Sequence, residues 1–232
     1  MSRVLIVGRL ALHPLRVTAT LTATLLVSDK FELICKKTPK ENPMKKVLIS
    51  AAALLLPAAA FAHTGHEVSG FTAGVAHPFT GLDHLLAMLA VGLWAARQSG
   101  AARWATPLAF VAMMAVGALA GASSLQLPFT ELMIAASVVV FGGLIAFNLK
   151  KGALAGVLLA GGFAFFHGFA HGAEMPAMST LATYGAGFLL ATAVLHTAGY
   201  ALAAFGHSKA ADISRRVAGA AIALTGVVLG LA

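Results

Sequence analysis

His77-Pro78-Phe79-Thr80-Gly81-Leu82-Asp83-His84 places two imidazoles and a carboxylate within eight residues, at the mouth of the apolar run Leu85 to Ala96. Ionisable groups at a membrane edge are expensive and mark a functional site by default. A second cluster, Phe166-His167-Gly168-Phe169-Ala170-His171-Gly172-Ala173-Glu174, closes another apolar run further along. Whether the two can meet is a question of topology.

Composition sets the class. Of 232 residues, 59% are hydrophobic and 10% charged, and the mean hydropathy is +0.88. Soluble chains carry about 25% charged residues. Several apolar stretches approach the roughly 20 residues that a spanning helix needs, so an all-α, polytopic membrane protein is expected. The formal charge of +8 does not argue for a nucleic-acid partner: nine of sixteen basic residues precede position 63, and the remainder nets only +2. That leaves no basic patch on a folded surface. The single cysteine, Cys35, also lies early, so no disulfide or thiolate site is open downstream.

Met44-Lys45-Lys46, the apolar run Val47 to Leu56, Pro57 and Ala60-Phe61-Ala62 supply the basic, apolar and Ala-x-Ala parts of a secretory signal peptide. The run is too short to span. Residues 44–62 are therefore expected to be a signal peptide, with Met44 as the start of translation and 1–43 a spurious or disordered extension. An extra helix within 1–43 is the alternative.

After His63, six spans are expected, near Phe79–Ala96, Trp104–Ala122, Phe129–Leu149, Ala153–Ala170, Leu181–Phe205 and Val217–Ala232, making 63–232 one six-helix transmembrane bundle. The last span is expected to be short and frayed by Gly219, Gly226 and Gly230. Lys and Arg accumulate in cytoplasmic loops. All seven basic residues after His63 fall in alternate loops: Arg97 and Arg103, Lys150 and Lys151, then Lys209, Arg215 and Arg216. With the signal peptide, this gives a bacterial inner-membrane protein with both mature termini periplasmic. Both clusters then share the periplasmic side.

On a helix, residues three, four and seven apart share a face, so His167, His171 and Glu174 can point together. Pro78 and Gly81 are expected to break or initiate the helix around His77 and His84. Imidazole suits nickel, cobalt, zinc and copper. The expected metal ligands are His77, Asp83, His84, His167, His171 and Glu174, with Met88 and Met175 as weak extras. Either carboxylate can ligate directly or orient an imidazole. His196 is expected to be a hydrogen-bonded packing residue, Glu131 an interfacial acid, Asn148 and Tyr200 packing or hydrogen-bonding groups, and His207 a surface residue. The mature start His63-Thr64-Gly65-His66-Glu67 reads equally as a metal-gathering or a merely solvated tail.

At these residues the chain resembles the HupE/UreJ family of nickel permeases, whose members accompany hydrogenase or urease gene sets. The family pattern HPxxGxDH is matched by His77, Pro78, Gly81, Asp83 and His84. The pattern FHGxAHGxE is matched by Phe166, His167, Gly168, Ala170, His171, Gly172 and Glu174. The resemblance covers residues 44–232. It implies uptake of Ni2+, with some relatives handling Co2+, and an indirect link to hydrogenase or urease maturation. Residue spacing by itself gives only a divalent-metal site.

The leading expectation is a secondary permease or facilitator, not an enzyme, carrying the ion as cargo across a lipid bilayer without a tightly bound cofactor. Homo-oligomerisation is compatible with it. The chain has no GxxxxGK[ST] phosphate loop, so it does not itself hydrolyse ATP through one. Protons compete with a metal for imidazole nitrogens, so uptake is expected to weaken as external pH falls. Two other classes are an intramembrane metalloenzyme with Glu174 as general base, which lacks HExxH spacing, and a haem carrier with paired histidines.

Overall fold

The structure, a computed structural model, describes residues 70–123, 125–204, 206 and 208–232. The expected signal peptide at 44–62, the 1–43 extension, the His63 to Glu67 stretch and His207 lie outside the described residues.

Among the described residues there are seven helices and no strand: α1 Gly70–Thr80, α2 Leu82–Ala95, α3 Ala102–Gly121, α4 Thr130–Ala146, α5 Ala153–Ala173, α6 Leu181–Ala204 and α7 Lys209–Leu231. Helices α3, α5, α6 and α7 are each long and apolar enough to cross a bilayer. Helices α1 and α2 qualify only as a pair, bent by 84°. Helix α4 is apolar but shorter, at 17 residues. Over the described residues the protein is all-helical, and its long apolar helices are those of a multi-pass membrane protein.

Two expectations about helix ends need correction. The span expected to start at Phe79 starts at Leu82 instead: of the two expected breakers Gly81 does break the helix, and Pro78 does not. Helix α1 continues through the buried Pro78 to Thr80, where a missing N–H near the helix end removes only one ladder bond. Gly81 is extended, at φ −96° and ψ 117°. A Cβ on it would sit 2.8 Å from Asp83 Oδ1 and 3.2 Å from His84 Nδ1. The glycine thus leaves room for those two side chains to fold back over the break.

The last helix is not frayed. It runs unbroken for 23 residues, capped by Ser208, whose Oγ accepts from the Ala211 N–H. Its glycines are contact points: a Cβ on Gly219 would lie 2.6 Å from the Ala146 backbone nitrogen, and one on Gly226 2.7 Å from that of Val139. The same device joins α3 to α5, where Gly117 and Gly121 lie against the Phe165 and Phe169 carbonyls while Gly168 and Gly172 lie against those of Met114 and Ala118. Small residues four apart let membrane helices approach until backbones touch.

Helix α2 lies at the centre, with nine of its 14 residues buried. A helix that is apolar all round is one enclosed on all sides. At its C-terminal end the basic loops are tied together. Arg97 donates to Asn148 Oδ1 at 2.7 Å and to Asp212 Oδ1 at 2.9 Å, and Trp94 Nε1 donates to the Leu149 carbonyl. Tyr200 stacks on Trp104. The histidine clusters occupy the opposite end.

Candidate functional site

The bend brings His77, near the end of α1, and His84, in the first turn of α2, onto the C-terminal end of α5. There His167 and His171 stand one turn apart. Ring centroids lie 4.7 Å apart for His77 and His171, 4.7 Å for His84 and His171, and 4.8 Å for His84 and His167. The two sequence clusters therefore form one assembly of four imidazoles. Both expected acids join it, with Glu174 Oε2 3.1 Å from His77 Nε2 and Asp83 Oδ1 2.8 Å from His84 Nδ1.

Hydrogen bonding assigns the tautomers. A carboxylate only accepts, so His84 donates through Nδ1–H to Asp83 and its Nε2 is left as a bare, buried nitrogen without a partner. Ser137 has a single hydroxyl proton, which goes to the Ile134 carbonyl at 2.6 Å. Its contact with His167 Nε2 at 2.8 Å is then Nε2–H donating to the hydroxyl oxygen, which leaves His167 Nδ1 bare. Neither ring nitrogen of His171 has a partner; its ring stacks on Phe188 with centroids 4.7 Å apart. Orienting one imidazole nitrogen through the other is how metal-binding histidines are usually held.

The site is graded in depth. Glu174 is 52% exposed and the His77 side chain 25%, while His84 is 6% exposed and His167 and His171 are fully buried. Glu174 follows the last turn of α5, outside the spanning segment. The hydrogen bond from His77 holds its carboxyl below the usual carboxylate range, more than offsetting partial burial. Among the described residues no three His, Cys, Asp or Glu side chains close on one point at ligand distance. The rings pack edge to face, so the donors are gathered without being clasped.

His196 departs from expectation. It is buried against the edge of Phe110, at 5.0 Å between centroids, and neither ring nitrogen has a partner. It is not a hydrogen-bonded packing residue. Met88 lies against Thr192 of α6, and Met175 packs on the core from the surface side. Ser137 carries no motif, and nothing in its sequence surroundings announces a contact with His167. Glu131, exposed at the start of α4, is within electrostatic reach of Glu174, Asp83 and His84. Its position on the third expected span, two after that of the first motif, concealed this.

A family model described as "HupE / UreJ protein" matches residues 51–229. Protein HupE of Rhizobium leguminosarum bv. viciae is 46% identical over 184 residues, covering 79% of this chain and 96% of that protein. No solved structure matches the chain.

Proposed function

Because the chain belongs to the HupE/UreJ family, we propose that it is a secondary permease or facilitator admitting a divalent transition cation, Ni2+ in the first place and Co2+ in the second. The cargo would serve hydrogenase or urease maturation. One observation carries this reading: bare nitrogens of His84, His167 and His171 sit together in a buried cluster flanked by two carboxylates. Imidazole and carboxylate suit a borderline divalent ion, and the charges of Asp83 and Glu174 offset those of the cation. Glu174 and His77 meet it first, and His84, His171 and His167 follow. Ligation then asks for rotation of imidazoles already in ring contact, with no shift of helices.

Six crossings follow if the α1–α2 pair counts as one bent span and α4 as a short one. The basic loops at the end opposite the imidazoles orient the site outward, by the bias of Lys and Arg toward the cytoplasm. An inside-negative potential then supplies about 2.3 kcal/mol per charge per 100 mV, and about twice that for a divalent ion. The metalloenzyme reading loses its base, since Glu174 is engaged by His77.

The test is uptake of radioactive nickel and cobalt by cells expressing the chain, compared with His77→Ala, Asp83→Ala, His84→Ala and Glu174→Ala. Loss in these variants supports the reading. Undiminished uptake in all four rejects it.

A further inference from the structure

One turn after another, α6 carries Tyr184, Phe188, Thr192 and His196 on one buried stripe. The first two belong to the imidazole cluster, as neighbours of His77 and His171. The last two face something else. Thr192 Oγ1 lies 3.3 Å from Met88 Sδ of α2 and 3.9 Å from Met114 Sδ of α3. Its one proton is shared between the Phe188 carbonyl, at 2.8 Å, and these sulfurs. Each thioether sulfur has two lone pairs, so each keeps at least one beyond the hydroxyl contact. All three side chains are fully buried.

His196 follows one turn deeper, 5% exposed, with Nδ1 and Nε2 both unpartnered. Its neighbours keep the same register: Gly92, one turn after Met88, lies against its backbone carbonyl, and Phe110, one turn before Met114, against its ring. Phe110 also touches His167, at 5.5 Å between centroids. One aromatic ring thus separates the innermost imidazole of the outer cluster from His196. A buried imidazole with no partner is costly, and packing alone gives no reason to place one beside an aromatic ring, one turn below a hydroxyl that meets two thioethers.

We propose that Met88, Met114, Thr192 and His196 form a second, inner metal site that receives the cation from the outer cluster. This rests on the permease reading above. Its donors are neutral: two thioethers, a hydroxyl and one imidazole, with no carboxylate among them. A borderline cation is held there more weakly than by the outer site, and conduction needs sites weak enough to leave. The outer site captures the ion and the inner one relays it.

The test uses the full chain in lipid nanodiscs with Ni2+ alone, together with cellular nickel uptake. The variants are Met88→Leu with Met114→Leu, which removes both sulfurs at nearly constant volume, His196→Leu, and the outer-site reference His84→Ala. The inner variants should keep the high-affinity Ni2+ binding of the wild type and lose about ten-fold or more in uptake, the size seen when metal-site partners are removed. Nickel X-ray absorption of wild type at excess metal should show sulfur scattering that the double methionine variant lacks. Wild-type uptake by both inner variants overturns the proposal, as does absence of sulfur scattering from wild type. Loss of the high-affinity binding in the inner variants overturns it too, since the sites would then not be separate. His84→Ala distinguishes the two levels: if it alone loses uptake, only the inner site fails, and if it transports normally together with His77→Ala, Asp83→Ala and Glu174→Ala, the permease reading fails.

Discussion

Asp83, Glu174 and Ser137 each hold one nitrogen of an imidazole, and that leaves the other nitrogen bare in two buried rings. Ser137→Ala removes the acceptor of the His167 N–H without touching a proposed ligand. Nickel affinity measured by titration of the purified protein should fall about ten-fold, within the range for lost orienting partners, and Ser137→Thr should restore much of it. Gly81→Ala is a second test at this scale. Its new Cβ would press on the Asp83 carboxylate and the His84 ring, so uptake should fall while the protein still purifies at normal yield. Acid sensitivity is a third test. A carboxyl whose pKa is lowered in the fold stays ionised until the pH drops below its ordinary 4.5, so the Glu174 charge persists through mild acid. Uptake into proteoliposomes with fixed internal pH should therefore keep the Glu174 contribution between external pH 7 and 5, so Glu174→Gln should lower uptake by the same factor at both. A loss in Glu174→Gln that is present at pH 7 and gone at pH 5 would argue against an ionised Glu174 at the entrance.

Helices here are held by glycines that admit backbone contact, and this decides what a small substitution does. Gly172→Ala puts a methyl against the Ala118 carbonyl of α3; overpacking of this kind costs about 1–3 kcal/mol. A lower melting temperature in detergent, by fluorescence-monitored size exclusion, is the expected outcome. Gly162→Ala on the same helix meets open space and should leave the melting temperature unchanged. Much of this level could be read from sequence. The spacing of His167, His171 and Glu174 put them on one face, and the loop charges put both motifs at one end. Gly81 was legible as a breaker beside Pro78; less legible was that Pro78 stays inside α1, and that the break serves the space Asp83 and His84 need over Gly81. The glycines of α7 were misread as fraying for a related reason. Their value lies in contact with α4, which no single-helix pattern contains. Thr192 and His196 had a visible four-residue spacing, but its meaning came only with Met88 and Met114 from two other helices.

Across the molecule, polar chemistry is divided between two ends. One end holds the imidazoles with Asp83 and Glu174, and the other holds Arg97, Asn148, Asp212 and Arg215 in one network. Of the four acids in the described residues, only Asp212 belongs to the basic end. The field along the bundle is therefore negative where a cation would be captured and positive where loops meet the cytoplasm, provided the orientation follows the Lys and Arg bias. Reporter fusions test that orientation independently of transport. Alkaline phosphatase, active only outside, should be active when joined after Glu174 and after Ala232 and inactive when joined after Arg97 or Lys151; a fluorescent protein that matures only inside should give the opposite pattern. Activity of the phosphatase at Arg97 would place the imidazole cluster on the cytoplasmic face. The same bundle would then present its carboxylates to outgoing metal, and uptake would no longer follow from its architecture.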